Sequence, residues 1–326
     1  MFDFIISAVG LSTPLIFGST GEILTEKSGH LNLGIPGIMY VGGISGIMGA
    51  FLYENSVNGA LNPFLAVLIP ILCTILGSGI MGLIYCFLTV TLRANQNVTG
   101  LMLTTFGIGI GNYFGGKFIS LSGAVEVATF STPKTSLIFR QTLPFADKLG
   151  AVGKLFFSYS FLVYVAIIVA IVSAIILRRT RVGLKLRAVG ENPATADAAG
   201  INVTRYRYLA TIIGSIIAGF GGLHYIMDKS KGIWSNNAFG DLGWLAVAIV
   251  IFALWKPDIA VLGSFLFGIL LILPSYITGL GMEAQELFKA IPYVVTIIVL
   301  VFTSMRKKRE FQPPEALGTN YFREER

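Results

Sequence analysis

The sequence predicts an all-α, polytopic membrane protein, a transmembrane bundle of about nine helices within a range of about eight to ten. Of its 326 residues, 54% are hydrophobic and only 13% are charged, whereas soluble domains have roughly half apolar and about a quarter charged residues. The excess lies in long runs without Asp, Glu, Lys or Arg. Most of these runs reach the ~20 residues that cross ~30 Å of hydrocarbon, so a fold of one or two water-soluble domains is excluded.

The runs predict nine helices along the chain. They lie near residues 4–24, 33–53, 64–92, 97–116, 157–178, 208–227, 241–255, 257–275 and 286–304. Two runs are shorter than a full span and several contain proline or glycine, which predicts broken helices. A bilayer tolerates such helices where neighbouring helices or a water-lined cavity satisfy the freed backbone groups, so they favour a transport pathway over a simple anchor.

Small residues recur at intervals of four in three of these helices. They are Gly42 and Gly46, then Gly107, Gly111 and Gly115, then Gly214, Ala218 and Gly222. This spacing lets helix backbones approach closely. It predicts a compact bundle.

Basic residues concentrate in the loop 179–207 and in the tail 306–326. The positive-inside bias puts both in the cytoplasm, and the even number of predicted spans between them agrees with that. Counting backwards puts the amino terminus outside. We therefore expect a multi-pass protein of the cell (plasma or inner) membrane, with a transmembrane domain over 1–305 and a basic cytoplasmic tail over 306–326. Because topology explains the net charge of +7, no nucleic-acid partner is implied.

The segment 117–156 is polar and is punctuated by glycine and proline, so it is predicted to be a long external loop. Loops of this length are usually functional. Contact with an external partner, shaping of an outer vestibule and a disordered connector all stay open for it.

Catalytic and metal-binding constellations are missing from the sequence. The stretch Gly111–Lys117 (G-N-Y-F-G-G-K) is close to a nucleotide-binding loop, but Phe118 stands where the magnesium-binding hydroxyl is required. The two histidines have no ligand partners at metal-binding spacing. We therefore expect no enzyme activity, no metal and no cofactor. The central parts of the predicted spans also lack acidic and histidine residues, which weakens a proton-coupled secondary transporter without excluding it.

The loop 179–207 contains a short helix that its own residues predict. Asn192 is a good N-cap, Pro193 suits the first helical position, residues 194–199 are mostly strong helix formers, and Gly200 is placed to end the helix. A two-turn helix is marginal in water, so it needs a docking surface. That surface is either a groove on another protein or the helix's own bundle.

This loop resembles the coupling segment of one importer family. The stretch G-L-K-L-R-A-V-G-E-N-P-A-T-A-D-A-A-G-I at 183–201, followed by A-G-F-G-G at 218–222, is similar to ATP-binding cassette (ABC) importer permeases of the branched-chain amino acid, ribose and nucleoside group. The stretch F-G-D-L-G-W-L-A-V-A-I-V-I-F-A-L-W-K-P at 239–257 extends the similarity. The resemblance implies that the loop contacts the ATPase subunit through Gly183, Arg187, Ala188, Gly190, Glu191, Asn192, Pro193, Ala196 and Gly200.

Two further stretches resemble the shorter permease of nucleoside-type importers. They are G-H-L-N-L-G-I-P-G-I-M at 29–39 and A-N-Q-N-V-T-G-L-M-L-T at 94–104. The sequence departs from that pattern at Pro36, where an acidic residue is usual, and at Thr104, where an asparagine is usual. A nucleoside is therefore the expected cargo, with a simple sugar or a branched-chain amino acid as the alternatives.

The resemblance also implies partners and a mechanism. The chain would pair with a second, homologous permease and with two ATPase subunits that hydrolyse ATP, and it would accept a neutral solute from an external substrate-binding lipoprotein. The helix 192–200 would act as the lever between ATPase and permease. Amide side chains supply the donors and acceptors that such a solute needs, so Asn32, Asn95, Gln96 and Asn97 are candidates for the pathway, although each is also readable as a helix cap. A stand-alone secondary transporter is the rival from another class.

Overall fold

The computed structural model describes residues 2–57, 59–123, 128–142, 150–277, 281–305 and 312–323. This part of the chain is almost entirely helical. Its helices are α1 (Phe2–Glu26), α2 (Ile35–Ser56), α3 (Pro63–Cys86), α4 (Gln96–Ser122), α5 (Pro133–Phe139), α6 (Gly150–Phe156), α7 (Phe161–Arg179), α8 (Arg181–Glu191), α9 (Pro193–Ala198), α10 (Val203–His224), α11 (Leu242–Phe252), α12 (Pro257–Ile272) and α13 (Met282–Met305).

Three helices end in a turn of different pitch. The helix α3 continues as a π-helical turn over Phe87–Thr91, α10 does so over Tyr225–Lys229, and α12 ends in a 3-10 turn over Leu273–Tyr276. Within the described residues, seven of the resulting helices are long and apolar enough to cross a membrane: α1, α2, α3, α7, α10, α12 and α13. The other two predicted spans are also helices, but α11 has only 11 residues and α4 is not among the seven.

Charged residues inside helices shifted two predicted boundaries. The helix α4 ends at Ser122, not near residue 116, because Lys117 lies on its exposed face and does not interrupt it. The helix α10 begins at Val203, before the predicted residue 208, because the Asn202 side chain accepts a hydrogen bond from Arg205 N at 2.8 Å. A search for charge-free runs misses helix ends of this kind.

The two ends of the bundle are distinct. The helices α8 and α9 lie at one end, here called the loop end. At the opposite hairpin end, β1 (Thr129–Ser131) pairs antiparallel with β2 (Ile233–Ser235), with Phe130 opposite Trp234 and both side chains buried. Of the predicted external loop, residues 117–122 belong to α4, and residues 129–131, 133–139 and 150–156 form β1, α5 and α6, so these parts are not a disordered connector. Residues 124–127 and 143–149 lie outside the described residues.

The helix α10 is the centre of the bundle, packing against α1, α2 and α3. Glycines make this packing close. A Cβ added at Gly214 would collide with the carbonyl oxygen of Gly21 on α1, and one at Gly42 on α2 would lie 2.6 Å from the Cα of Gly219. A Cβ at Gly107 on α4 would lie 2.8 Å from the Cα of Gly37. The predicted close approach of the helices is therefore confirmed.

The connection between α1 and α2, residues 27–34, is buried at the loop end and is held by side chains of other helices. The Thr89 hydroxyl donates to the carbonyl of Tyr85, so it accepts from Nε2 of His30 at 2.7 Å. The other ring nitrogen, Nδ1, then accepts from the Thr211 hydroxyl at 2.7 Å. Burial, with a smaller contribution from Arg207, lowers the pKa of His30 to about 3, which keeps the ring neutral.

The backbone of the same connection is satisfied by long-range partners. Gln96 Oε1 accepts from Leu31 N at 2.8 Å, and the Tyr85 hydroxyl donates to the Leu31 carbonyl. The Thr104 hydroxyl donates to the Leu33 carbonyl at 2.8 Å. These bonds satisfy backbone groups of an irregular segment and fix its conformation.

Gly214→Leu should lower the melting temperature of the detergent-solubilised chain. The added side chain must displace the α1 backbone, and overpacking of this kind costs about 1–3 kcal/mol of unfolding free energy. Gly109→Leu is the matched control, since a Cβ there meets nothing within 4 Å. Equal melting temperatures for the two variants would contradict the close α1–α10 contact.

His30 should make stability depend on acidity. The unfolded ring takes up a proton below about pH 6.5, whereas the folded ring does so only near pH 3. Between these values only the unfolded state gains the proton, so the folded state loses stability as the pH falls below about 6.5. The melting temperature should therefore fall less steeply with decreasing pH for His30→Gln than for the wild type. Parallel pH dependences would show that His30 is not held neutral.

Candidate functional site

The short helix α9 has the local structure that the sequence predicts. The Asn192 side chain accepts from Thr195 N at 2.9 Å, and Pro193 occupies the first turn. Gly200 follows the helix with φ +80°, a left-handed conformation that favours glycine. The predicted caps are confirmed, and the helix spans Pro193–Ala198.

The helix α8 is an element that the sequence analysis missed. It is capped by Thr180, whose hydroxyl accepts from Gly183 N at 3.1 Å. It buries Leu186 and Val189 and exposes its charged side chains. The helical spacing of those two residues with Gly183 and Gly190 is a signal that could have revealed it, but the basic residues between them led to a loop assignment.

Two of the predicted coupling glycines are packing positions. A Cβ at Gly183 would collide with the backbone of α7 at Ile176, and one at Gly190 would collide with the Lys27 carbonyl and lie 3.0 Å from Gly29 N. The α8–α9 unit is therefore seated directly on the buried α1–α2 connection. Substitution at Gly190 would disturb this seat as well as any outside contact.

The two faces of α9 differ. Ala196 is buried in a small cluster with Val189 of α8 and Val203 of α10. Its exposed side, here called the alanine face, consists of Ala194, Thr195, Ala198 and Ala199. Of the other predicted coupling residues, Arg187, Glu191 and Asn192 are exposed, while Ala188 and Pro193 are half-buried. The unit thus presents small side chains on α9 beside charged ones on α8.

Charged groups surround the seat of α8. Lys27, just after α1, shares a cavity of about 590 Å³ with Arg187 and Glu191. Burial lowers the pKa of Lys27 to about 8, and the nearby Glu191 carboxylate opposes that shift. The cavity is therefore polar, in contrast to the alanine face beside it.

Part of the carboxyl-terminal tail completes the loop end. The segment 312–323, here called the tail segment, bonds to α8 where Ala316 N donates to the Gly190 carbonyl at 3.0 Å. The Tyr321 hydroxyl donates to Asp197 Oδ2 on α9 at 2.8 Å, and Arg323 pairs with the same oxygen at 3.2 Å. The Thr319 carbonyl accepts from Arg207 Nη1 at 3.1 Å. Sequence analysis identified the tail only by its charge, because nothing local in it reveals these distant partners.

The predicted pathway residues lie at the loop end. Asn32 is buried, with its Oδ1 accepting from Gly34 N at 2.9 Å. Asn95 caps α4 by accepting from Val98 N at 3.1 Å, and Gln96 is buried between Leu31 N and the tail segment. Asn97 is exposed. Three of the four thus hold backbone in place, and a role for any of them in the pathway stays a prediction.

Two carboxyl groups are buried in α1 near the same place. Glu22 Oε1 accepts from Asn32 N at 3.1 Å, and Glu26 accepts from the indole N–H of Trp255. Both side chains are at most 3% exposed. The sequence analysis did not predict this burial, because the partner groups come from the α1–α2 connection and from the turn after α11.

Comparison with known proteins agrees with the resemblance. A family model described as the branched-chain amino acid transport system permease component matches residues 4–300. The nucleoside ABC transporter permease protein NupC of Lactococcus lactis is 33% identical over 316 residues, which cover 96% of this chain and 94% of the relative.

Two other relatives are similar over nearly their full length. The putative glucose ABC transporter permease protein TsgC13 of Haloferax volcanii is 31% identical, covering 98% of this chain and 97% of the relative. The guanosine ABC transporter permease protein NupQ of Bacillus subtilis is 29% identical, covering 97% and 95%. Together with the family match, these full-length similarities show that the chain belongs to the branched-chain amino acid transport permease family, as a multi-pass ABC transporter permease.

Proposed function

We propose that this permease is the transmembrane subunit of a nucleoside importer and that the alanine face of α9 docks into its ATPase partner. The observation that carries the proposal is the exposed, small-residue surface on a helix that is braced by α8, the start of α10 and the tail segment. A helix fixed on three sides transmits a push into the spans attached to it instead of absorbing it.

The attached spans are those that an ATPase would have to move. The helix α7 ends at Arg179, directly before α8, and α10 begins at Val203, directly after α9. Because α10 packs against α1, α2 and α3, rocking of the α8–α9 unit would reach the centre of the bundle. The loop end would be cytoplasmic, and the hairpin end would face an external substrate-binding lipoprotein. A second, homologous permease would complete the pathway.

The nature of the cargo rests on the relatives. Two of them are named for nucleosides or guanosine and one for glucose. The stretches 29–39 and 94–104 support the nucleoside, and a simple sugar is the second candidate because of the glucose-named relative. Asn97 is exposed at the loop end and, among the described residues, is the pathway candidate whose side chain does not hold backbone in place.

Ala198→Arg should abolish uptake while leaving the amount of permease in the membrane unchanged. The position is exposed, so the larger side chain does not disturb the bundle but blocks a groove that accepts alanine. Ala198→Ser is the matched control, since it keeps the side chain small at the same exposed position. Uptake by Ala198→Arg at the level of the control would refute docking through the alanine face.

Purification of the full chain from gently solubilised membranes should recover an ATPase and a second permease. In liposomes with the matching binding protein, guanosine should stimulate ATP hydrolysis more than glucose does. Stimulation of ATP hydrolysis by glucose and not by guanosine would show that the cargo is a sugar and not a nucleoside. If the chain purifies alone and its uptake depends on an ion gradient, the protein is a secondary transporter and the proposal of an ATP-driven importer is wrong.

A further inference from the structure

A basic cavity lies between α9, the start of α10, the end of α3 and the tail segment. Its volume is about 730 Å³. Four arginines line it: Arg93, Arg205, Arg207 and Arg323. The one carboxylate in its lining, Asp197, already accepts from Tyr321 and pairs with Arg323. The remaining positive charge is therefore available to a ligand.

Arg207 is the strongest indication of an anion-binding site. Its side chain is only 2% exposed, and Nη1 donates to the Thr319 carbonyl. Within the described residues, neither Nε nor Nη2 of this guanidinium has a hydrogen-bond acceptor. Leaving N–H donors of a buried cation unsatisfied is costly, and the charge of an anion in the cavity that Arg207 lines would offset part of that cost.

The surroundings of the cavity indicate where the anion comes from. Directly beside it, Thr91 and Tyr208 join the ends of α3 and α10 through their hydroxyl groups. Further along the same two helices, a row of large apolar side chains is exposed: Leu83, Phe87, Leu209 and Ile213. The α3 and α10 stretches that carry this row are within candidate membrane spans. The cavity thus lies at the level where an apolar, membrane-facing surface meets the polar loop end.

We propose that this cavity binds the phosphate headgroup of an anionic phospholipid, whose acyl chains lie along the exposed row on α3 and α10. The guanidinium groups of Arg93, Arg205 and Arg207 would surround the phosphate, since the planar fork of donors in arginine fits two phosphate oxygens at once. The proposal is independent of the transported solute. It would give the α9 unit a contact with the bilayer in addition to its protein contacts.

Native mass spectrometry of the full chain in nonionic detergent tests this. Added phosphatidylglycerol should remain bound in preference to zwitterionic phosphatidylcholine. The double variant Arg93→Gln with Arg205→Gln, which changes only exposed side chains, should reduce phosphatidylglycerol retention by about ten- to thirtyfold. Arg207→Gln should do the same if it folds. The matched control, Arg179→Gln with Arg181→Gln, removes two exposed arginines that do not line the cavity and should retain the lipid.

Three results would overturn the proposal. Equal retention of the two lipids would show that the charge of the headgroup is not recognised. Equal loss in the control pair would show that general surface charge, not the cavity, attracts the lipid. Displacement of phosphatidylglycerol by an equal concentration of glycerol 3-phosphate or inorganic phosphate would assign the cavity to a soluble phosphate instead.

Discussion

The irregular connection between α1 and α2 is the constraint on which the loop end depends. A largely buried loop must find hydrogen-bond partners for its backbone within the protein. Here the backbone partners are Tyr85 of α3 and Gln96 and Thr104 of α4, and Thr211 of α10 bonds the His30 side chain. The helix α8 packs on that connection through Gly190, and the tail segment bonds to α8 in turn.

Polar side chains at the loop end form hydrogen bonds with elements that are far apart in sequence. Gln96 accepts from Leu31 N and donates to the Thr319 carbonyl, so one side chain joins the connection, α4 and the tail segment. Such a network is strong only when every member is present, since a partner removed leaves a buried group unsatisfied. The loop end is therefore one cooperative unit. That property would suit the coupling role proposed for α9.

Local chemistry explains which features could be predicted from sequence. Spans follow from hydropathy, the glycine contacts of Gly42 and Gly214 follow from four-residue spacing, and α9 follows from its own caps at Asn192 and Gly200. Each of those signals lies within a few residues. In contrast, the sequence analysis did not predict α8, because its basic residues are typical of a loop and its buried face is recognised only in the structure. The burial of Glu26 depends on Trp255, which is 229 residues away, and no local pattern encodes that.

The tail segment has a consequence for the order in which the protein is completed. Asp197 lies 124 residues before its partner Tyr321, so α9 leaves the ribosome long before the residues that fasten it. A chain that stops before residue 312 lacks the bonds to Gly190, Arg207 and Asp197 altogether. The α8–α9 unit thus gains these bonds only after residues 312–323 have been synthesised. These bonds therefore distinguish a chain that contains the tail segment from a chain that lacks it.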